Sequence, residues 1–334
     1  MTVAEPLVIA GTKVEPGSVA TITMPIPQLY THTPMEMPVH VVRGKRAGPT
    51  LFVCAAIHGD ELNGVEIIRR LVHKSPFGKL RGTLIAIPIV NIYGVIHHSR
   101  YLPDRRDLNR SFPGTGKGSL ASRLANLLMK ECVENATHAI DLHTGAIHRS
   151  NMPQIRCDMN KPETARMAES FGAPVIIDSK IRDGSLRQAA DDLDIPIIIY
   201  EAGEALRFDE RSIQAGVAGI RSVMRQLDML GQVKSKKKSI ESLVVSASAW
   251  TRAPISGIFH TRIRLGEIVE HDDLLGSIAD PFGETEVEIF SRHKGMVIGR
   301  THLPLVNEGD AVIHIAQTDA IEEAADTFAE FIDR

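Results

Sequence analysis

The stretch CAAIHGDELNG, residues 54–64, closes an apolar run on His58, turns through Gly59 and Asp60, and places Glu61 three residues after the histidine. An imidazole and a carboxylate so spaced can share a divalent metal ion. The pair alone is weak, because 14 histidines and 41 acidic residues in 334 predict about 1.7 such pairs by chance. His138 and Asp141 form another, in the lead-in to a strand. Context separates the two: the first pair sits in a strand-to-helix turn, with Asn63-Gly64 close behind, where a loop can aim both side chains into one cleft. A catalytic zinc takes three protein ligands and keeps one position open. His143 in AIDLHTG is the best third ligand, and Asp141, two residues earlier on the same strand face, can brace the site. The competing reading is that His58, Glu61 and His143 are polar residues at the ends of buried strands.

Two further stretches supply what a hydrolytic site needs. IPIIIYEAGE buries a strand and then exposes Glu201, a carboxylate able to take a proton from water and pass it to a leaving amine; standing alone, it reads equally as a charge at a helix start. HHSRYLPDRRDLNRSFPG carries Arg100, Arg105, Arg106 and Arg110. As a solvated loop its arginines are partly neutralised by Asp104 and Asp107, but Asn109-Arg110 sets an amide beside a planar fork suited to gripping a carboxylate. Pro103 and Pro113 stiffen the loop. An acidic small-molecule substrate follows. Arg156 and Arg187 are candidates for a second acidic group, or surface residues.

These residues need strands that end together. LFVCAAI, TLIAIPIV, HAIDLHT and IPIIIYEAG read as buried strands, and VEIIRRLVHK, SRLANLLMKECVEN and SIQAGVAGIRSVMRQLDMLG as helices. VATITMPI and PVHVVRG add strands to an N-terminal β segment over residues 1–45. Apolar strands alternating with helices predict an α/β domain with a mixed, largely parallel sheet covered on both faces, over residues 1–235. Ligands in such sheets sit where strands end, and three of these strands end on His58, His143 and Glu201.

A basic stretch follows, with Lys234, Lys236, Lys237 and Lys238, read as a surface linker. Beyond it, short strands and glycine turns over residues 243–318 predict a smaller β domain, closed by an amphipathic helix over 319–334. Sliding this part by 38 positions superposes Gly257 on Gly295, Leu265 on Leu303, Ile268 on Val306, Glu270 on Glu308, Asp272 on Asp310 and Leu274-Leu275 on Val312-Ile313. Two similar halves predict a small sandwich with quasi-twofold symmetry.

Composition excludes several partners. With 38 basic and 41 acidic residues the net charge is -3, without the footprint of a nucleic-acid binder. No apolar run reaches the roughly 18 residues of a membrane span, and no signal segment is evident, so a cytoplasmic protein is expected. Three cysteines, an odd number without a CxxC pair, build no fully paired disulfide framework.

Taken in order, H-G-D-E, D-L-N-R-x-F-P-G, D-L-H-T-G and E-A-G resemble the succinylglutamate desuccinylase/aspartoacylase family, related to the zinc carboxypeptidases. The resemblance covers roughly residues 40–230 and extends through the C-terminal β part. It implies a zinc-carboxypeptidase-like three-layer α/β/α domain, and a C-terminal barrel-sandwich like the biotinyl/lipoyl fold. Since FGETEVE holds no lysine where a carrier domain needs one, that domain is expected to be a scaffold covering part of the site entrance. By matching position the resemblance implies one Zn2+ per chain on His58, Glu61 and His143, Glu201 as general base, and Asn109 and Arg110 as carboxylate clamp. Arg100 is the expected oxyanion-stabilising residue, with Arg105 and Arg106 as alternatives; Glu204 is the rival to Glu201. The implied activity is hydrolysis of the amide of an N-acyl amino acid by metal-activated water, and a homo-oligomer is compatible with it. The alternatives are carboxypeptidase-like removal of a C-terminal acidic residue from a peptide, and a non-catalytic metal-binding regulator.

Overall fold

The computed structural model describes residues 7–73, 77–232 and 241–332. The lysine-rich stretch read as a linker, with Lys234 and Lys236 to Lys238, lies outside them. Strands β1 (Leu7–Ile9) and β2 (Thr12–Val14) form a small hairpin, followed by β3 (Val19–Ile26), β4 (Met35–Arg43) and β5 (Arg46–Ala55). Then come α1 (Asn63–His73), β6 (Arg81–Ile87), α2 (Ile92–Ile96) and α3 (Leu120–Leu128), the last running into a π-helical turn at Met129–Val133. The α/β part continues with β7 (His138–Gly145), β8 (Arg149–Cys157), α4 (Pro162–Phe171), β9 (Val175–Asp178), α5 (Leu186–Asp191), β10 (Ile197–Glu204) and α6 (Glu210–Gln226).

Apart from β1 and β2, these strands join one 13-stranded mixed sheet. Its centre, β6-β5-β7-β10, is parallel as the apolar runs predict, while β3, β4 and β8 join it antiparallel. Alternate residues of one strand feed opposite cores. Phe52 and Cys54 of β5 pack towards α3 and α5 with Leu124, Leu128 and Leu186, whereas Leu51 and Val53 face α1, α4 and α6 with Ile67, Phe171 and Ile220. Helices on both faces give three layers.

Helix α1 lies against the sheet because Gly64 has no side chain. A Cβ there would meet Ala55 Cβ at 2.6 Å and Leu142 Cβ at 2.8 Å. The turn before it is equally tight: a Cβ on Gly59 would fall 2.0 Å from the Gly94 carbonyl carbon of α2. These approaches fix the loop that carries His58 and Glu61.

The C-terminal part supplies β11 (Leu243–Val245), β12 (Ser248–Arg252), β13 (Gly257–Thr261), β14 (Ile268–Val269), β15 (Leu274–Ala279), β16 (Glu286–Phe290), β17 (Gly295–Thr301), β18 (Leu305–Val306), β19 (Ala311–Gln317) and α7 (Ile321–Ile332). The 38-residue repeat is visible in the pairing. β13, β14 and β15 recur as β17, β18 and β19, and the halves exchange their short strands, since β14 pairs with β17 and β18 with β13. The ladder runs on into the α/β part: β17 pairs with β8, and β11 with β9. Met152 and Ile177 share a core with Leu243, Met296 and Ile298. No helix among the described residues is long and apolar enough to cross a membrane.

Candidate metal centre and substrate cleft

His58 and Glu61 project from the turn between β5 and α1, and His143 from β7, the strand paired with β5. All three are buried, and one ligand atom from each lies within 4.8 Å of the others. Glu61 is the hub: His58 Nδ1 is 2.7 Å from its Oε1 and His143 Nδ1 is 2.7 Å from its Oε2. The Thr144 backbone N–H donates to the same Oε2 at 3.2 Å. Behind the rings, His58 Nε2 is 3.1 Å from Asp107 Oδ1 and His143 Nε2 is 2.8 Å from Asp141 Oδ2. Each histidine thus points Nδ1 inward and leans its other nitrogen on a carboxylate, the arrangement that fixes the tautomer of a metal-binding imidazole. Two imidazoles and one carboxylate suit a zinc-like divalent ion.

The electrostatics follow from this packing. Burial pushes the Glu61 carboxyl up, but the flanking His58 and His143 outweigh it and hold the group well below the usual carboxylate range. Burial would lower His143, yet Asp141 and Glu61 raise it well above an ordinary histidine; His58 is raised in the same way against burial by Glu61 and Asp107. Without metal these carboxylates favour the protonated form of both imidazoles. Asp141→Asn is expected to weaken binding of a divalent ion at this candidate site about 10- to 100-fold, as loss of such a brace typically does; a competition titration of added metal against a chromogenic chelator measures it.

The triad opens into a cleft of about 770 Å³. Glu201, on β10 beside β7, occupies the register position opposite His143 and lines the same cleft. Asn151 Nδ2 donates to its Oε2 at 2.5 Å, and Arg156 Nε lies 3.2 Å from its Oε1. Glu204 does not line the cleft; it lies 3.9 Å from His148 and from His302.

Arg100 also lines the cleft. Its Nη1 is 3.2 Å from Glu61 Oε1, and its Nη2 donates to Asp107 Oδ2 at 2.9 Å. Arg105 and Arg106 are exposed and absent from the lining. Asn109 is buried and caps α5, its Oδ1 accepting from Leu186 N at 2.9 Å, while the neighbouring Arg110 is exposed to the cleft. Arg187 is buried rather than on the surface, its guanidinium donating to Ser179 Oγ, Ser179 O and Lys180 O. In all, Arg100, Arg110, Arg149, Arg156, Lys180, Arg182, Arg187 and Arg252 face the cleft against Glu61, Glu201 and Asp310. Burial, and after it the neighbouring Arg110 and Arg156, lower Arg182 from the usual guanidinium value.

Sequence reasoning missed three participants. Asp107 read as a counter-charge to nearby arginines; its place in D-L-N-R was the available signal. Asn151 and Trp250 carried none, since each reaches the cleft only through strand pairing.

A buried two-histidine, one-carboxylate cluster at the strand ends of an α/β sheet, opening into a cationic cleft, is a candidate metal site. The model of the succinylglutamate desuccinylase/aspartoacylase catalytic domain matches residues 47–227, and the chain belongs to that family. It is similar to an N-alpha-acetyl-L-2,4-diaminobutyric acid deacetylase of Halomonas elongata, 25% identical over 298 residues that cover 84% of this chain and 85% of that protein. Among solved structures, the product-bound ectoine utilization protein of Ruegeria pomeroyi shares the fold with a TM-score of 0.84 at 24% identity, covering 94% of this chain and 98% of that one. A succinylglutamate desuccinylase/aspartoacylase from Rhodobacter sphaeroides gives 0.80 at 24% identity, covering 89% and 95%.

Proposed function

We propose that this chain is a zinc-dependent deacylase that hydrolyses the amide of an acidic N-acyl amino acid. The observation that carries the reading is the convergence of His58, Glu61 and His143 with Glu201 at one end of one cationic cleft. A divalent ion held by the triad would polarise the scissile carbonyl and acidify a water. Glu201, one strand away and held by Asn151 and Arg156, takes the water proton and returns it to the leaving nitrogen. Arg100 lines the cleft beside Glu61, which supports the role of its guanidinium as donor to the oxyanion, a contribution typically worth roughly 3 to 4 kcal/mol. Asn109 and Arg110 hold a carboxylate of the substrate and so select which amide is presented.

The excess of cationic over acidic groups in the lining favours anionic substrates. The Halomonas relative is named for a substrate that carries an amine on its side chain, so an acidic preference would separate the two activities. Incubating zinc-loaded protein with a mixture of acetylated and succinylated amino acids and short acidic peptides, followed by mass spectrometry, tests the reading. Release of a free amino acid and an acyl acid supports the deacylase. Trimmed peptides alone would replace it with the carboxypeptidase reading, and no product would shift weight to a non-catalytic metal protein.

Arg110→Ala is expected to raise KM about tenfold or more with kcat little changed, because a carboxylate grip is shared by ground and transition states. Steady-state kinetics on the substrate identified in the mixture check it, and an unchanged KM removes the clamp.

A further inference from the structure

Cys54 opens the stretch that carries His58 and Glu61, and the hydrolysis described above makes no use of it. Strand register sets it behind the metal site. In the parallel pairing of β5 with β7, Cys54 is the neighbour of Asp141, and on the other side of β7 Asp141 faces Ile199 of β10. Of these two side chains only the thiol can donate a hydrogen bond. Cys54 Sγ donates to Asp141 Oδ1 at 3.4 Å, while Oδ2 of the same carboxylate lies 2.8 Å from His143 Nε2. Thiol, carboxylate and imidazole thus form a chain that leads from the core of the sheet to the metal triad.

Burial gives the first link its weight. Cys54 and Asp141 are both 0% exposed, and the thiol lies in the apolar core with Phe52, Leu128 and Ala139. A carboxylate oxygen shut away from water is costly to leave without a donor. Burial, and after it the Asp141 carboxylate, push the Cys54 thiol well above its ordinary range, so the sulfur keeps the proton it donates.

The two histidines lean on carboxylates that are held in different ways. Asp107, behind His58, accepts from Arg100 Nη2 at 2.9 Å, from Arg100 Nε at 3.2 Å and from the Asn109 backbone N–H at 2.8 Å. Such charge-assisted donors draw strongly on a carboxylate. A thiol is a weak donor: it can fix the rotation of Asp141 while leaving most of the carboxylate charge to His143.

We propose that Cys54 is a positioning residue for the metal centre, its thiol fixing the rotation of Asp141 and, through it, the ring of His143. Cys54 is not among the clustered ligand residues and acts through Asp141 alone. The role rests on the reading of His58, Glu61 and His143 as a metal site and is independent of the reaction carried out there.

The experiment compares Cys54→Ser, Cys54→Ala and Cys54→Val in the full chain. Chelator competition gives Zn2+ affinity, visible absorption of the Co2+-loaded proteins reports on the ligand field, and melting curves of the metal-free proteins report on packing. Ser and Ala are close in volume and differ by a donor, whereas Val refills the space without one. The Ala and Val variants are expected to bind Zn2+ about tenfold more weakly than the parent and the Ser variant within about threefold of it, the lower end of what loss of a histidine brace costs. The Co2+ bands should move in Ala and Val and stay in Ser, whatever the order of the melting temperatures. Parent-like affinity in the Ala variant, affinity restored by Val, or an equal loss in Ser and Ala would each overturn the role. So would a sulfur-to-cobalt charge-transfer band in the parent, which would make Cys54 a ligand. A parent chain that binds neither ion would overturn the role together with the metal site. Donor-dependent affinity, with no acyl product from any substrate, would keep the role and remove the deacylase reading.

Discussion

Glu201→Gln is expected to bind zinc as the parent chain does and to lose turnover by about 10²- to 10⁴-fold, the range in which a positioned general base contributes. Gln keeps the length of the side chain and an oxygen that can accept from Asn151 Nδ2, so the local packing has little reason to change. What it loses is the ability to accept a proton and the charge facing Arg156 Nε at 3.2 Å. Glu201 is not one of the three clustered ligand residues, so metal content should stay at the parent level. Elemental analysis together with kcat on the substrate found by mass spectrometry separates the two effects. Turnover within tenfold of the parent would eliminate Glu201 as the base. Loss of metal along with activity would instead assign it a structural share in the metal centre.

The same residues explain how much the sequence could reveal. His58, His143 and Glu201 were legible because each ends an apolar run, and parallel strands buried on both faces bring their ends to one edge of the sheet. The repeat was legible too, since identical spacing of glycines and apolar residues reappears as paired strand triplets. The ladder between β17 and β8 was not. It joins Gly299 to Asn151 across nearly half the chain, and no local pattern encodes a pairing of that range. The placing of Trp250 in the cleft wall depends on it and was hidden for the same reason, while the Asn151 contact with Glu201 rests on the pairing of β8 with β10, which no local pattern encodes either. Asp107 shows a different limit. A carboxylate among arginines reads as charge balance, and only geometry reveals that it also braces His58.

Removing a ligand should have the largest effect on the metal. His143→Ala is expected to lower zinc affinity more than 100-fold and to abolish turnover, because it takes one of three donors and leaves the Asp141 carboxylate buried without its partner. The parent chain supplies the accompanying pH test. In the metal-free protein His58 and His143 are raised above the ordinary histidine value while Glu61 is depressed. A raised histidine contributes stability that is fully present below its unfolded value, near 6.5, and is lost as pH rises through its folded value. The depressed Glu61 contributes stability above the ordinary carboxylate range that is lost only as pH falls through its low folded value. Between pH 6 and 9 the histidines therefore dominate, and the metal-free protein should melt at progressively lower temperature as pH rises. Zinc bound by the proposed triad would displace those protons, so its affinity should increase over the same interval and the Tm of protein with added zinc should hold or climb. Parallel melting curves with and without zinc measure both trends, and a metal-free Tm that rose with pH would contradict the proton-filled triad.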